Sequence, residues 1–243
     1  STIKPIVALS ALEHDVINPN LTVQCTGAVE LYGHKYHCWK EKGHKLIKLR
    51  DAIKQSCDIY FYEVARRLGV DRLAVTAKKF GLGEKVLNIL DEELSGLVPT
   101  AKWKLKNIGR GWVIGETMLA GIGQGFYQST PLQLCLMTAQ LANGGYKIKP
   151  RIIHDADALK PIVDSWKEEL YKRERGIDDL NVEQDMFVST VNDLQKLYRN
   201  PENIKFVLDA MYGATNEPMG TSFGSRYTQD KYIFAGKTGT SQI

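Results

Sequence analysis

Residues 1–13 read STIKPIVALSALE, and the stretch opens with a serine three positions before a lysine. An apolar stripe at helical spacing predicts a helix here; it is formed by Ile6, Val7, Leu9 and Leu12. Positions i and i+3 share a helix face, so the Ser1 hydroxyl and the Lys4 amine can meet. Serine becomes a strong nucleophile when a base removes its proton, and a desolvated lysine amine can be that base. On its own, the tetrad is more often a helix start followed by a solvated lysine.

Two further short motifs carry hydroxyl, carboxyl and amine groups. Ser56-Cys57-Asp58 follows a predicted amphipathic helix, and a hydroxyl and a carboxyl two residues apart can point into a cleft from a tight turn. Lys237-Thr238-Gly239-Thr240 lies in the alternating stretch 231–243, which predicts a strand. Glycine inside a strand permits close approach of a ligand, and lysine supplies a cation for a carboxylate. Strand alternation places Lys237 and Gly239 on one face and Thr238 and Thr240 on the other.

The order of the three motifs is more specific than any one of them. S-x-x-K, then S-x-N/D, then K-T-G is the signature set of serine β-lactamases and penicillin-binding proteins. The chain resembles the transpeptidase domain of class B penicillin-binding proteins, most of all the penicillin-binding protein 2 group of cell elongation. Besides the motifs, the resemblance rests on residues 1–13, 55–65 (QSCDIYFYEVA), 121–134 (GIGQGFYQSTPLQL), 142–145 (ANGG), 211–213 and 220–221.

The resemblance implies an α+β protein with the fold of penicillin-binding transpeptidases and serine β-lactamases, in which helices cover a five-stranded antiparallel sheet. It implies one transpeptidase domain over residues 1–243, with residues 14–135 forming most of the helical subdomain and its loops. Because the chain starts at Ser1 and ends in a strand-like run, we expect a fragment truncated at both ends. We therefore expect a mostly helical structure with a depleted antiparallel sheet.

The resemblance also implies roles for the residues of the first two motifs. Ser1 corresponds to the nucleophile, Lys4 to its general base and Ser56 to a proton-relay hydroxyl. Asp58 stands where many relatives have asparagine. Its carboxylate should favour the charged form of the lysine, so desolvation must offset it if Lys4 is to act as a base.

The third motif corresponds to the strand that binds substrate. Lys237 would hold the terminal carboxylate, the Thr238 and Thr240 hydroxyls would lie near it, and Gly239 would permit its approach. The backbone N–H of Thr240 would form one half of the oxyanion hole, and that of Ser1 the other half. Because Ser1 is the first residue here, we expect its free amine to impair catalysis by this fragment while the parent protein is active.

The resemblance implies peptidoglycan stem peptides as substrates and β-lactams as their mimics. Members of the group are anchored in the bacterial inner membrane and face the periplasm. Their partners are a membrane-embedded glycan polymerase and elongation scaffold proteins. Three alternatives stay open: a serine β-lactamase, although no E-x-x-L-N segment follows the second motif; a non-enzymatic penicillin-binding sensor; and a carboxypeptidase, which shares the donor chemistry.

Three cysteines and a histidine suggest a metal site. Cys25, Cys38, His44 and Cys57 are spaced C-x12-C-x5-H-x12-C, and Cys3His is a known structural zinc set. Relatives in the penicillin-binding protein 2 group resemble this in placing metal ligands around the same loop, so Zn²⁺ is the expected ion. A Cys25–Cys38 disulfide, which an oxidising periplasm favours, and free thiols remain alternatives. Cys135 lies in a predicted apolar helix and is expected to pack in the core.

Composition and motif content exclude several other classes of protein. The chain is 43% hydrophobic and 25% charged, as folded globular proteins are, which excludes disordered and coiled-coil classes. A net charge of +4 is too small to indicate nucleic-acid binding. No apolar run reaches the roughly 18–20 residues of a membrane span. Gly121–Gly125 is not followed by the lysine of a phosphate-binding loop, which argues against nucleotide binding.

Hydrophobic periodicity predicts further helices at 49–68, 70–80, 132–141, 182–198 and 201–212. It also predicts a hairpin within 29–36 and a strand at 146–153. Residues 82–115 show little periodicity and are expected to form a long surface excursion, with Trp103 and Trp112 packed within it. The basic stretch 102–110 is expected to be a solvated face.

Overall fold

The computed structural model describes residues 1–31, 33–87, 92–150, 195–227 and 234–239. Its helices, in chain order, are α1 (Lys4–Glu13), α2 (Leu49–Lys54), α3 (Asp58–Leu68), α4 (Val70–Lys79), α5 (Ala101–Ile108), α6 (Ile114–Gly121), α7 (Pro131–Ala142) and α8 (Pro201–Asn216). Its strands are β1 (Thr22–Cys25), β2 (Ala28–Leu31), β3 (His34–His37) and β4 (Lys45–Lys48). None of the helices in these ranges is long and apolar enough to cross a bilayer.

Helix α1 is the centre of the core. It contacts α2, α3, α4 and α8, so its whole circumference is covered rather than one stripe. Residues 4–12 are all buried, including Lys4. Each Å² of apolar surface removed from water contributes about 25 cal/mol to stability, so this packing stabilises α1 in its central position. The first motif therefore begins on the most constrained element of the fold.

The predicted helix at 49–68 is broken into α2 and α3 by residues 55–57. At the break Ser56 has φ +54°, in the left-handed region that a serine rarely adopts. Both halves follow one helical period, which is why the sequence predicted a single helix. The break turns the second motif toward the N-terminal end of α1, where Lys4 Nζ contacts Ser56 and Asp58.

Two small antiparallel sheets are formed by the residues that follow α1 and precede α2 in the chain. Strand β1 pairs with β4 in the register Thr22↔Lys48, and β2 pairs with β3 in the register Ala28↔His37. The second pair is the hairpin predicted from sequence. A side chain on Gly43 would place Cβ 2.1 Å from the Cys25 carbonyl oxygen, so this approach of two loops requires glycine. The mostly helical α+β architecture with little sheet is confirmed.

The segment 82–115 is more ordered than expected, because it contains α5 and the start of α6. Thr100 caps α5 by accepting from the Trp103 N–H. Trp103 and Trp112 pack on the ring of Phe126 at centroid distances of 5.4 and 6.3 Å, as expected. The predicted solvated face is wrong for Lys104, because this lysine is buried and pairs with Glu116 at 2.5 Å.

Several other expectations are corrected within the described ranges. Residues 195–198 are not helical, and Tyr146 forms only an isolated bridge with Lys196 rather than a strand. Residues 234–239 belong to no strand, so the described part of the third motif, residues 237–239, lies in irregular backbone. Cys135 is exposed on α7 and not in the core. The rest of the predicted helix at 182–198, the end of the predicted strand at 146–153 and Thr240 lie outside the described residues.

Candidate active site

The amine of Lys4 is the centre of a buried polar cluster. Lys4 is fully buried, and its Nζ donates to the Asp58 carboxylate at 2.7 Å, to the Ser56 hydroxyl at 3.0 Å and to the Ser56 carbonyl at 2.9 Å. Its Nζ also lies 5.5 Å from the centre of the Phe61 ring. Three acceptors and an aromatic face offset much of the desolvation cost of this cation. The first two motifs are therefore joined by direct contacts.

The third motif reaches the same hydroxyl from the other side. Lys237 Nζ donates to Ser56 Oγ at 2.8 Å, so two lysines meet at one serine. Burial, together with the nearby charge of Lys4, lowers the pKa of Lys237 to about 7, while Asp58 acts in the opposite direction. A hydroxyl has two lone pairs and one proton. When both lysines donate into the lone pairs, the proton of Ser56 is left to point elsewhere.

Thr238 is held against a second threonine. Its hydroxyl donates to Thr221 Oγ1 at 3.0 Å, and Lys237 Nζ also contacts the Thr238 hydroxyl at 3.3 Å. Lys237 and Thr238 thus converge instead of facing opposite ways as strand alternation predicted. A side chain on Gly239 would place Cβ 2.9 Å from Thr2 Cγ2, which brings the motif against the start of α1.

A cavity of about 670 Å³ opens over these groups. We call it the central cavity; its lining residues include Ser1, Ser56, Asp58, Trp39, Thr221 and Thr238. Ser1 lies at its edge, one turn before the buried Lys4. The structure thus places Ser1, Lys4, Ser56, Asp58, Lys237, Thr238 and Gly239 around one site. Thr240 lies outside the described residues.

Trp39 supports the turn that carries Ser56, and no sequence motif identified it. Its backbone N–H donates to Asp58 Oδ2 at 3.0 Å, and its indole N–H donates to the carbonyls of Gln55 and Ser56 at 3.0 and 3.1 Å. Asp58 is thereby shared between Lys4 and Trp39. The only sequence signal for Trp39 is its position directly after Cys38.

The four metal-ligand candidates come together beside this turn. One ligand atom from each of Cys25, Cys38, His44 and Cys57 lies within 4.8 Å of the other three. His44 Nδ1 is 3.5 Å from both the Cys25 and the Cys38 sulfur. A tetrahedral zinc ion with ordinary bond lengths separates N and S ligands by about 3.6 Å, so the spacing fits such an ion.

The electrostatics of the cluster also suit a cation. Hydrogen bonds with Cys57 and His44 lower the pKa of the Cys38 thiol to about 2, against the effect of burial. The same contact with Cys38, reinforced by burial, raises the pKa of Cys57. All three cysteines are buried free thiols, which leaves no disulfide between Cys25 and Cys38. A divalent ion would bind the three cysteines as thiolates, and the residues present therefore fit a metal.

A family model described as the penicillin binding protein transpeptidase domain matches residues 1–243. The chain belongs to the penicillin-binding protein transpeptidase family. In this transpeptidase domain, Lys4 of the first motif and Lys237 of the third both lie within hydrogen-bond distance of Ser56 of the second, beside the central cavity.

Relatives with known names give the same assignment. The domain is 31% identical over 245 residues to the peptidoglycan D,D-transpeptidase MrdA of Acinetobacter baumannii, covering 100% of this chain and 32% of the relative. It is 33% identical over 246 residues to MrdA of Escherichia coli K12, covering 100% of this chain and 35% of the relative. The chain thus spans about a third of the length of these curated relatives.

Solved structures of penicillin-binding protein 2 share the fold. A structure of the Pseudomonas aeruginosa protein in complex with WCK 5153 superposes with a TM-score of 0.80 at 34% identity, over 100% of this chain and 50% of that one. The Helicobacter pylori protein in complex with MreC gives 0.78 at 29% identity, over 100% and 39% of the two chains. The expected fold is confirmed.

Proposed function

We propose that this domain is the acylating unit of a D,D-transpeptidase that cross-links peptidoglycan stem peptides during cell elongation, and that β-lactams acylate it. The observation that carries the proposal is the convergence of Lys4 and Lys237 on Ser56 beside Ser1 in the central cavity. The names of the relatives, peptidoglycan D,D-transpeptidases, support the same reaction.

In the acylation step, the Ser1 hydroxyl attacks the carbonyl carbon of the penultimate residue of the donor peptide. Lys4 passes a proton to the Asp58 carboxylate, which it contacts at 2.7 Å, and its amine then accepts the Ser1 hydroxyl proton as the bond forms. The amide bond to the terminal residue then breaks, and its nitrogen receives a proton from Ser56, which is resupplied by the adjacent lysines. The terminal carboxylate is held by Lys237 with the hydroxyls of Thr238 and Thr221. The products are an ester on Ser1 and a free amino acid.

In the second step, an amine of a neighbouring stem peptide attacks the ester. It enters where the first amine left, so Ser56 and the lysines now accept its proton. The new amide forms, Ser1 leaves as the alkoxide and is reprotonated, and the domain returns to its starting state. With water as the attacking group, the same residues would give hydrolysis, which is why transfer must be measured directly.

Zn²⁺ is the ion that the cysteine–histidine cluster would hold. Three thiolates and one imidazole are a known structural zinc set, and the N–S separations of 3.5 Å match a tetrahedral site. When bound, the ion would supply positive charge that keeps the thiolates deprotonated. Cys57 would then fix the turn between Ser56 and Asp58, and Cys38 would fix Trp39, so the role is structural.

The whole protein, in this proposal, is anchored in the bacterial inner membrane with the domain at the periplasmic face. Its partners are a membrane-embedded glycan polymerase and elongation scaffold proteins. The structure of Helicobacter pylori penicillin-binding protein 2 with MreC supports a partner of the scaffold type. Location and partners are tested by fractionating cells and by co-purification of the full-length protein.

The test of the activity is intact mass of the full-length protein during incubation with a penicillin. We expect a persistent adduct on the serine of the S-x-x-K motif, which Ser1→Ala abolishes and the exposed control Ser95→Ala retains. Transfer of a labelled donor peptide to an amine then separates a transpeptidase from a carboxypeptidase. An adduct that is lost rapidly with destruction of the drug would identify a β-lactamase, and no adduct would refute an active serine.

A further inference from the structure

A second groove lies next to the central cavity, along the β2–β3 hairpin. This hairpin groove has a volume of about 610 Å³ and is lined by Leu31, His34, Tyr36, residues 113–116 and Leu119. Tyr36 and Leu119 line both cavities, so they form the wall between them. An extended peptide leaving the central cavity past this wall would enter the hairpin groove directly.

Tyr36 has a built position on this wall. Its ring packs edge to face on Tyr62 at a centroid distance of 5.7 Å. Its hydroxyl reaches Gly115, where an added Cβ would lie 2.2 Å from the oxygen. The absence of a side chain at 115 thus leaves room for the tyrosine. Beyond it the groove is lined mainly by apolar side chains, together with His34 and Glu116, and Val113 on its rim is 55% exposed.

The hairpin places a lysine beside Tyr36 at the central cavity. Lys35 and His37 line the cavity beside Tyr36, and His34 lines the groove. Glu30 is opposite Lys35 in the sheet register, yet Lys35 forms no ion pair with any residue in the described ranges. A ligand with a carboxylate would therefore find an unpaired lysine beside a groove whose one carboxylate among the described residues, that of Glu116, is already paired with Lys104.

The position of this path relative to the motifs indicates which substrate it serves. Lys237, Thr238 and Thr221 occupy the wall that would hold the donor carboxylate. Trp39 contacts the Ser56 turn and continues the hairpin strand toward Tyr36. The path from the Ser56 turn to the hairpin groove thus starts beside Ser56. In the proposed mechanism the amine of the donor's terminal residue leaves at this place, and the amine of the acceptor must arrive there.

We propose that the hairpin groove binds the acceptor, the amine-bearing stem peptide of a second glycan strand, with its carboxylate toward Lys35 and its apolar part against Tyr36 and Leu119. This inference rests on the proposed transpeptidase function and specifies its second substrate. Acylation needs the donor alone. The groove residues should therefore affect transfer to a peptide amine without affecting formation of the acyl-enzyme.

The experiment measures two rates on the full-length protein. The first is acylation by a penicillin, and the second is transfer from a thioester donor to either a stem tetrapeptide or free D-alanine as acceptor. For Tyr36→Ala we expect kcat/KM for the tetrapeptide to fall about tenfold, the effect of removing an aromatic anchor from a binding site. For Lys35→Ala we expect a fall of about fivefold that shrinks at high salt. Acylation and transfer to D-alanine should stay unchanged.

Two further variants serve as controls. Gly115→Ala, which forces the Tyr36 hydroxyl aside, should reproduce the loss for the tetrapeptide, whereas Lys205→Ala, at an exposed lysine on α8, should not. Transfer to the tetrapeptide at the rate of the unmodified protein in all variants would overturn the inference. So would a loss of transfer that is the same for the tetrapeptide and D-alanine, or a loss of acylation of the same size. Absence of acylation in the unmodified protein would instead refute the proposed function, so the two failures are distinguishable.

Discussion

The protonation of Lys237 should limit acylation at alkaline pH. Burial and the charge of Lys4 lower its pKa to about 7, so the amine is a cation below pH 7 and neutral above it. A neutral amine attracts the donor carboxylate only weakly. With a pKa of about 7, about a tenth of the molecules carry the cation at pH 8 and about a hundredth at pH 9.

The assay is the second-order rate constant for acylation by a penicillin between about pH 6 and 9, which reports the free enzyme. Lys237→Arg keeps the cation at all these pH values, because arginine does not deprotonate in proteins. The charges of Lys4 and Lys237 act on each other, so the methyl ester of the penicillin is measured with both proteins to remove any change in the titration of the rest of the site. The ratio of the acylation rate constant of the wild type to that of Lys237→Arg, normalised at pH 6, should therefore fall by about tenfold per pH unit above pH 7.

Asp58→Asn provides a second, directional check. The carboxylate of Asp58 raises the pKa of Lys237, so its removal should move the fall in rate to lower pH. The methyl ester of the same penicillin carries no carboxylate and should show no such fall. A flat ratio from pH 6 to 9, or the same fall with the ester, would refute the assignment of Lys237 as a titrating carboxylate anchor.

Three other perturbations test what holds the site together. Removal of metal by a chelator should lower the free energy of unfolding by about 4 kcal/mol relative to protein in zinc at 1,000 times Kd, measured by urea titration. Glu217→Gln leaves the buried Lys54 without its 2.7 Å partner and should cost about 1–3 kcal/mol in the same assay, whereas Glu202→Gln in an exposed pair should cost under about 0.5 kcal/mol. Gly121→Ala should cost about 1–3 kcal/mol, because the Cβ would lie 2.3 Å from the Cβ of an alanine on α3; Gly111→Ala, with nothing within 4 Å, should be neutral by thermal unfolding.

Local sequence signals predicted the elements that depend on local physics. The proline and capping threonine before α7 and the asparagine and proline before α8 mark helix starts in both sequence and structure. Residues 82–115 gave no such signal along most of their length. Helix α5 does have local signals in the capping Thr100 and the left-handed Gly109 at its end, whereas the burial of Lys104 against Glu116, twelve residues away, has no local signature.

The break between α2 and α3 was missed for the same kind of reason. Its helical period continues through residues 49–68, and nothing local requires Ser56 to adopt a positive φ. The contacts that hold Ser56 come from Lys4 and Lys237, which are 52 and 181 positions away. Trp39 was missed likewise, and Thr221, which is among the residues that carry the resemblance, had no predicted role, since each acts on a motif residue distant in sequence. The motifs identified the reacting groups, and only the fold shows what orients them.

The geometry of Ser56 is held by more contacts than a serine in an ordinary turn. A left-handed serine costs about 1 kcal/mol and persists only when its surroundings determine it. Lys4 and Lys237 bind its hydroxyl, Trp39 binds its carbonyl, and Cys57 follows it in the cysteine cluster. Loss of the metal would release Cys57 and, through Cys38, Trp39, while α1 stays packed in the core. Chelation should therefore slow acylation at chelator concentrations lower than those that unfold the domain. If acylation and folding were lost in one joint transition, the cluster would support only the fold.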